Sequence, residues 1–151
     1  MRYSSFGAAG AASTTAATAG IMKVDNPAAS TMAAAKLYEW CVGPAANSAD
    51  ETYGVQMKRQ STAGTWTAVT ASPLDPKASA AVTTAGRAST AAGTAGVVLG
   101  TWGYHMRGGY RWVSIPGGEL VNPLTFSNGM LLEYYFAQGT SVQDATLFFD
   151  E

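Results

Sequence analysis

Histidine occurs once, at position 105, and cysteine once, at position 41, so acid–base and nucleophilic chemistry have few groups to use. A Ser-His-Asp or Cys-His arrangement could be assembled only around His105. In "GTWGYHM" this histidine alternates against Trp102, Tyr104 and Met106, which places it on the solvent or interface face of a strand as an ordinary surface residue. Cys41 stands alone, which excludes an intrachain disulfide and a cysteine-based metal site, and it reads as a buried free thiol. Asp25, Asp75 and the pair Asp50-Glu51 fall in polar turns, where carboxylates bond local amides. None has the spacing of a metal site, and nothing pairs two carboxylates as glycoside hydrolysis requires. "GTWGY" and "PGG" precede no helix and are not phosphate loops. Lys58-Arg59 reads as a solvated strand end rather than a nucleic-acid patch. Four tryptophans leave one binding chemistry open, stacking on a sugar, with Trp66 and Trp102 as candidates and core packing as the competing role of Trp102. The sequence predicts no enzyme, no metal and no cofactor.

The elements that would position these residues are set by an unusual composition. At 151 residues the chain suits one domain with one core. Much of its hydrophobic share is Ala, and the larger apolar residues concentrate after residue 96. Charged residues are 13% of the total, about half the usual share for a globular domain, and the net charge is −1. Recruitment to nucleic acid by charge is therefore not expected. All nine Lys and Arg lie within residues 1–111, whereas residues 112–151 hold five acids and no base. That acidic end reads as a solvated segment, with head-to-tail or side-by-side association as the alternative. The first twenty residues lack the apolar run of a signal peptide. No stretch is long and apolar enough for a transmembrane helix, so cytosolic synthesis and no membrane contact are expected.

Along the chain, "MRYSSFGAAGAASTTAATAG" is low-complexity, with Tyr3 and Phe6 as its only anchors. Residues 1–20 read as an arm that orders on a neighbour, and residues 21–151 as the domain. "GIMKVDNP" is a short strand ended by Asn-Pro. In "STMAAAKLYEWCVGP", Ser30 could cap a helix, yet Leu37 to Val42 is aromatic and β-leaning, and composition leaves both readings open. Thr52–Ser61 alternates as a strand, and "STAGTWTAVT" continues it as a hairpin turning at Ala63-Gly64. Ser72–Gly96 reads as a long connection, of the kind that is functional or held by a neighbour.

Then come the apolar strands. "VVLGTWGYHM" puts Val98, Trp102, Tyr104 and Met106 on one face, with Gly100 marking a bulge or close approach. "YRWVSIPGGELVNP" divides into strands Arg111–Ile115 and Glu119–Val121, with Pro116-Gly117-Gly118 as the corner between them. "GMLLEYYFAQ" turns Met130, Leu132, Tyr134 and Phe136 one way and Glu133 the other. "DATLFFDE" turns Ala145, Leu147 and Phe149 inward. Period-two alternation with turns every eight to twelve residues predicts an all-β sandwich or barrel.

The succession "KLYEWCVG…ADETYGVQMKRQSTAGTWTAVTASPLDPKASAA", "YRWVSIPGGELVNPLTFSNGMLLEYYF" and "ATLFFDE" resembles small virion proteins of tailed bacteriophages, over roughly residues 36–151. The N-terminal arm and "VVLGTWGYHMRGG" have no counterpart in that pattern. The resemblance implies that Lys36–Val42 is a strand and that the fold is a single jelly-roll-like sandwich. It further implies a capsid decoration or cement protein on the exterior of the virion. Its partners would be the major capsid protein and copies of itself, a trimer by analogy. Tyr3, Phe6, Leu74, Arg87 and Trp66 are the interface residues expected on this reading. A tail, neck or fibre component, or a carbohydrate-binding module, are the alternatives.

Overall fold

Strict alternation is cleanest near the C-terminus, where Gln143, Ala145, Leu147 and Phe149 are buried and the residues between them are half-exposed. That pattern is a strand with one face on a core, and the fold repeats it. A computed structural model describes residues 1–9, 20–26, 34–44, 50–62, 64–91, 93–105, 107–122, 124–125, 128–137 and 143–151. Within them lie β1 (Arg2–Ala9), β2 (Gly20–Asp25), β3 (Lys36–Pro44), β4 (Thr52–Gln60), β5 (Thr65–Val69) and β6 (Ser72–Pro73). They are followed by β7 (Thr84–Ala91), β8 (Ala95–His105), β9 (Tyr110–Val113), β10 (Leu120–Val121), β11 (Gly129–Ala137) and β12 (Gln143–Asp150).

These strands form two antiparallel sheets. One runs β10-β3-β12-β1-β6, with β9 also on β3, and the other runs β5-β7-β2-β11-β4-β8. The pairing nests: β1 lies on β12, β2 on β11, β3 on β9 and β4 on β8. A long hairpin rolled over itself in this way is the strand order of a jelly roll, with β5, β6 and β7 inserted between β4 and β8. The sequence expectation of an all-β, jelly-roll-like sandwich is met, and Lys36–Val42 is a strand.

Between the sheets, Tyr3, Ile21, Met22, Val24, Leu37, Trp40, Val55, Met57, Met130, Leu132, Leu147 and Phe149 make the core. Trp40 sits edge-on to Trp102 at 5.1 Å and tilted to Tyr110 at 5.3 Å, geometries that favour aromatic pairs. Three tyrosines also enter the core. Tyr53 lies 6.0 Å from Tyr104 and 5.8 Å from Tyr134, and the Tyr104 hydroxyl donates to Gln143 Oε1. Burial pushes the Tyr104 and Tyr134 hydroxyls well above the ordinary tyrosine value of 10.0. Both stay neutral when folded and can ionise once unfolded, so their contribution is complete below pH ~10 and declines above it. The urea midpoint should fall steeply above pH 10, and the Tyr134→Phe variant should flatten that decline. An alkaline limb identical in both proteins would refute this assignment.

The charge asymmetry of the sequence is settled inside the molecule. Arg2 pairs with Asp150 at 3.6 Å, and Lys58 pairs with Glu133, whose side chain is only 2% exposed. The Glu151 carboxylate accepts hydrogen bonds from the amides of Val82 (2.9 Å) and Thr83 (2.6 Å). Glu133, Asp150 and Glu151 are thus tied to residues of the 1–111 half rather than forming a solvated tail, whereas Glu119 bonds the nearby Gly117 amide.

Several expectations are corrected. Residues 2–9 are not an arm but an interior strand between β12 and β6, while residues 10–19 lie outside the described residues. Backbone pairing along all of β12 orders this small-residue segment without needing large side chains. β5 does not fold back on β4; it pairs with β7 at the far edge of its sheet. Within Ser72–Gly96, Thr84–Ala91 is a strand. β9 and β10 do not turn a corner, because both run along the same edge of β3, Val113 opposite Glu39 and Leu120 opposite Leu37. Ser114 to Glu119 is an excursion from that edge. It holds a type II turn in which Gly118 N–H donates to Ile115 O at 2.8 Å and Gly117 adopts φ 83°. On β8 the register shifts between Met57 and Lys58. Leu99 is the extra residue there, which leaves Val98 exposed instead of on the core face. Met106, Ser30 and the side chain of Phe136 lie outside the described residues.

Candidate functional site

Alternation along β3, β9 and β12 sends Trp40, Trp112 and Leu147 into the core and leaves Glu39, Cys41, Arg111, Val113, Thr146 and Phe148 on the outer face. Two open depressions lie there. The larger, about 510 Å³, is lined by Cys41, Gly43, Gly109, Tyr110, Arg111 and Asp144 among others. The smaller, about 250 Å³, is bordered by Arg2, Tyr38, Val113, Pro116, Glu119 and Asp150. The Glu39–Arg111 ion pair, 2.7 Å, stands between them. The same Glu39 contact raises the Arg111 pKa, so the guanidinium is committed within the sheet. Arg2 lies 5.2 Å over the Tyr38 ring, and Tyr38 packs at 6.3 Å against Phe148. Partial burial is the main cause of the raised Tyr38 pKa, opposed by the Arg2 charge.

His105 lines neither depression. Cys41 is half-exposed rather than buried as expected. His105 is exposed, 3.8 Å from Asp50, and Asp50 is held more closely by Arg107 at 2.8 Å. His105 Nδ1 accepts the Arg107 amide at 3.3 Å, and its carbonyl receives the amides of Gly108 and Gly109. It therefore organises a turn. Glu119 accepts the Gly117 amide at 3.1 Å, and backbone hydrogen bonds hold its carboxyl below the ordinary range. Asp75 does bond a local amide, that of Lys77, at 2.9 Å. Asp25, by contrast, is no turn residue: it is buried at the end of β2 with Lys23 and the Thr84 hydroxyl. Lys58-Arg59 is not a solvated end either, since Lys58 meets Glu133 and Arg59 donates to Val121 O at 2.8 Å. Among the described residues, no group of His, Cys, Asp and Glu could hold a metal, and no helix is long and apolar enough to cross a membrane.

The five residues expected at a partner interface do not form one patch. Tyr3 is buried, stacked on Phe149 at 5.6 Å, and cannot reach a partner. Phe6 lies in β1 opposite Thr146, and its side chain is outside the described residues. Leu74, just after β6, is half-exposed, its amide bonded to Arg2 O at 3.0 Å. Arg87 is half-buried on β7 opposite Met22. Trp66 packs over Gly86, with Lys23 Nζ 5.7 Å from its ring. Trp102 is half-buried against Trp40, Tyr110 and Trp112. Both tryptophans are half-buried.

Of the five, Leu74 is an exposed apolar residue (50%); others more exposed are Ile115 (77%), Val97 (68%), Leu124 (61%) and Val113 (52%). The sequence places Val113 and Ile115 in a strand and marks none of these four as an interface residue. The one local signal was Pro116-Gly117, which fixes Ile115 at a turn corner. Among the described residues, His105 approaches Asp50 and Arg107 but not Cys41. No protein-family model, curated protein or solved structure matches the chain.

Proposed function

We propose that this chain is a non-enzymatic structural protein of a tailed-bacteriophage particle, coating the capsid exterior as a decoration or cement protein. The observation supporting this reading is the jelly-roll strand order joined to exposed apolar residues such as Ile115 and Val113 on the outer surface. Jelly rolls serve lectins and cupins as well as capsids, so the fold alone does not choose. The low charge, the exposed Ile115 turn and the absence of an assembled acid–base pair around His105 favour a binding role. The partners on this reading are the major capsid protein and further copies of the chain. Many copies on a symmetric shell convert weak single contacts into firm retention.

The deciding measurement is the copy number in purified particles, by quantitative mass spectrometry against the major capsid protein. A ratio of one, or a simple fraction of one, is expected. A few copies per particle would relocate the protein to tail or neck, and absence from particles would overturn the reading.

A further inference from the structure

A sheet edge is a row of unpaired backbone donors and acceptors, and proteins protect edges with charge, proline, shortness or interruption. Three of the four sheet edges here show such a device. β6 is two residues long and ends in Pro73. β5 is five residues long. The β9–β10 edge carries Arg111 and is broken by the Pro116 excursion. The fourth is β8, eleven residues paired with β4 on one side and, among the described residues, with no strand on the other. Its sequence, AGVVLGTWGYH, has neither Lys, Arg, Asp, Glu nor Pro. Bulges are confined to its first half, and from Gly100 to His105 the ladder is regular. Val97, Val98, Thr101, Gly103 and His105 are all exposed along it.

We propose that β8 pairs antiparallel with β8 of a second copy across a two-fold axis, joining the two sheets into one continuous sheet. Neutrality identifies the occupant. In a two-fold antiparallel contact the residue on the axis meets its own counterpart and each neighbour meets the residue equally far on the other side, so a strand bearing charge of one sign would repel itself. β8 has no such charge in a chain holding nine bases and ten acids. The small outward residues Thr101 and Gly103 let two backbones approach, and a Cβ placed on Gly103 would meet nothing nearer than Tyr53 O at 3.9 Å. The exposed valines flank the regular stretch and would be covered by the partner. This contact does not depend on the virion reading. It differs from the three-fold arrangement implied by the phage resemblance, which requires two different surfaces.

Sedimentation velocity on the full chain, from low micromolar to hundreds of micromolar, tests the proposal. A concentration-dependent dimer is expected. Thr101→Lys and Val97→Lys should each weaken it about tenfold or more, a 1.4 kcal/mol change, while Thr65→Lys on β5 leaves it unchanged. Both β8 positions are exposed, so the thermal midpoints should hold. If either variant fails to fold, hydrogen exchange of the wild type gives the same reading, with β8 amides gaining protection as concentration rises and β5 amides not. A monomer throughout, a trimer, or a dimer indifferent to both lysines would overturn it.

Discussion

Trp40→Ala should lower stability by about 3–5 kcal/mol, the largest single-residue effect expected in this protein. The side chain is fully buried on β3, joins the two sheets through Trp102 on β8, and packs on Tyr110 of its own sheet. Against a typical total of about 5–15 kcal/mol, such a loss removes a large share of the folding free energy. For a chain of this size the melting midpoint should drop by roughly 6–20 °C. Trp40→Phe is the informative companion. Trp40 Nε1 is buried without a hydrogen-bond partner, so phenylalanine removes an unsatisfied donor while keeping most of the apolar contact. Its cost should be at least about 2 kcal/mol smaller than that of alanine. Equal urea midpoints for the two variants would mean that this aromatic cluster does not bind the sheets together.

Lys58→Met should be nearly as damaging, at about 3–5 kcal/mol, because it strands a buried carboxylate. Glu133 faces away from the main core, between Lys58 and Gln56, whose Nε2 donates to it at 2.9 Å. Removing both charges together, as Lys58→Met with Glu133→Leu, should recover most of the loss, since the ion pair itself is close to neutral against apolar packing. A double-mutant cycle in urea measures the coupling directly. Additive losses would show that the two groups do not interact.

The strands were legible wherever a large apolar residue alternated with a polar one, as in β12 and β4. Where side chains are small, the pattern is silent. β1 and β7 are mostly Ser, Thr, Ala and Gly, with only Arg2, Tyr3, Phe6 and Arg87 as larger residues, and their strand character comes from backbone pairing with distant neighbours that no local window contains. The hairpin expected after Thr52–Ser61 failed for the same reason: turn chemistry at Gly64 (φ 61°) says the chain bends, not which strand receives it. Leu99 shows how one extra residue inverts a face, exposing Val98 against the expectation. At the surface, a single histidine and a single cysteine limited the chemistry that the sequence could suggest. Exposure at Val97, Val113 and Ile115 was not legible, because it depends on which strands end up at an edge.

The nesting of β1 on β12 also sets a clock. Arg2 lies opposite Asp150, and Ala9 opposite Gln143, so the first of the described strands pairs with the last of them. At about 5–20 residues per second, the segment that becomes β1 waits roughly 7–30 s on the ribosome before its partner emerges. Neither sheet can close in that interval, since β2 likewise waits for β11. Closure of this domain therefore waits for residues 143–150 to be made, with the slow rate expected of distant pairings. During that delay the nascent chain carries unpaired strand edges, and high-level expression of this protein should draw on chaperones in proportion to its rate of synthesis.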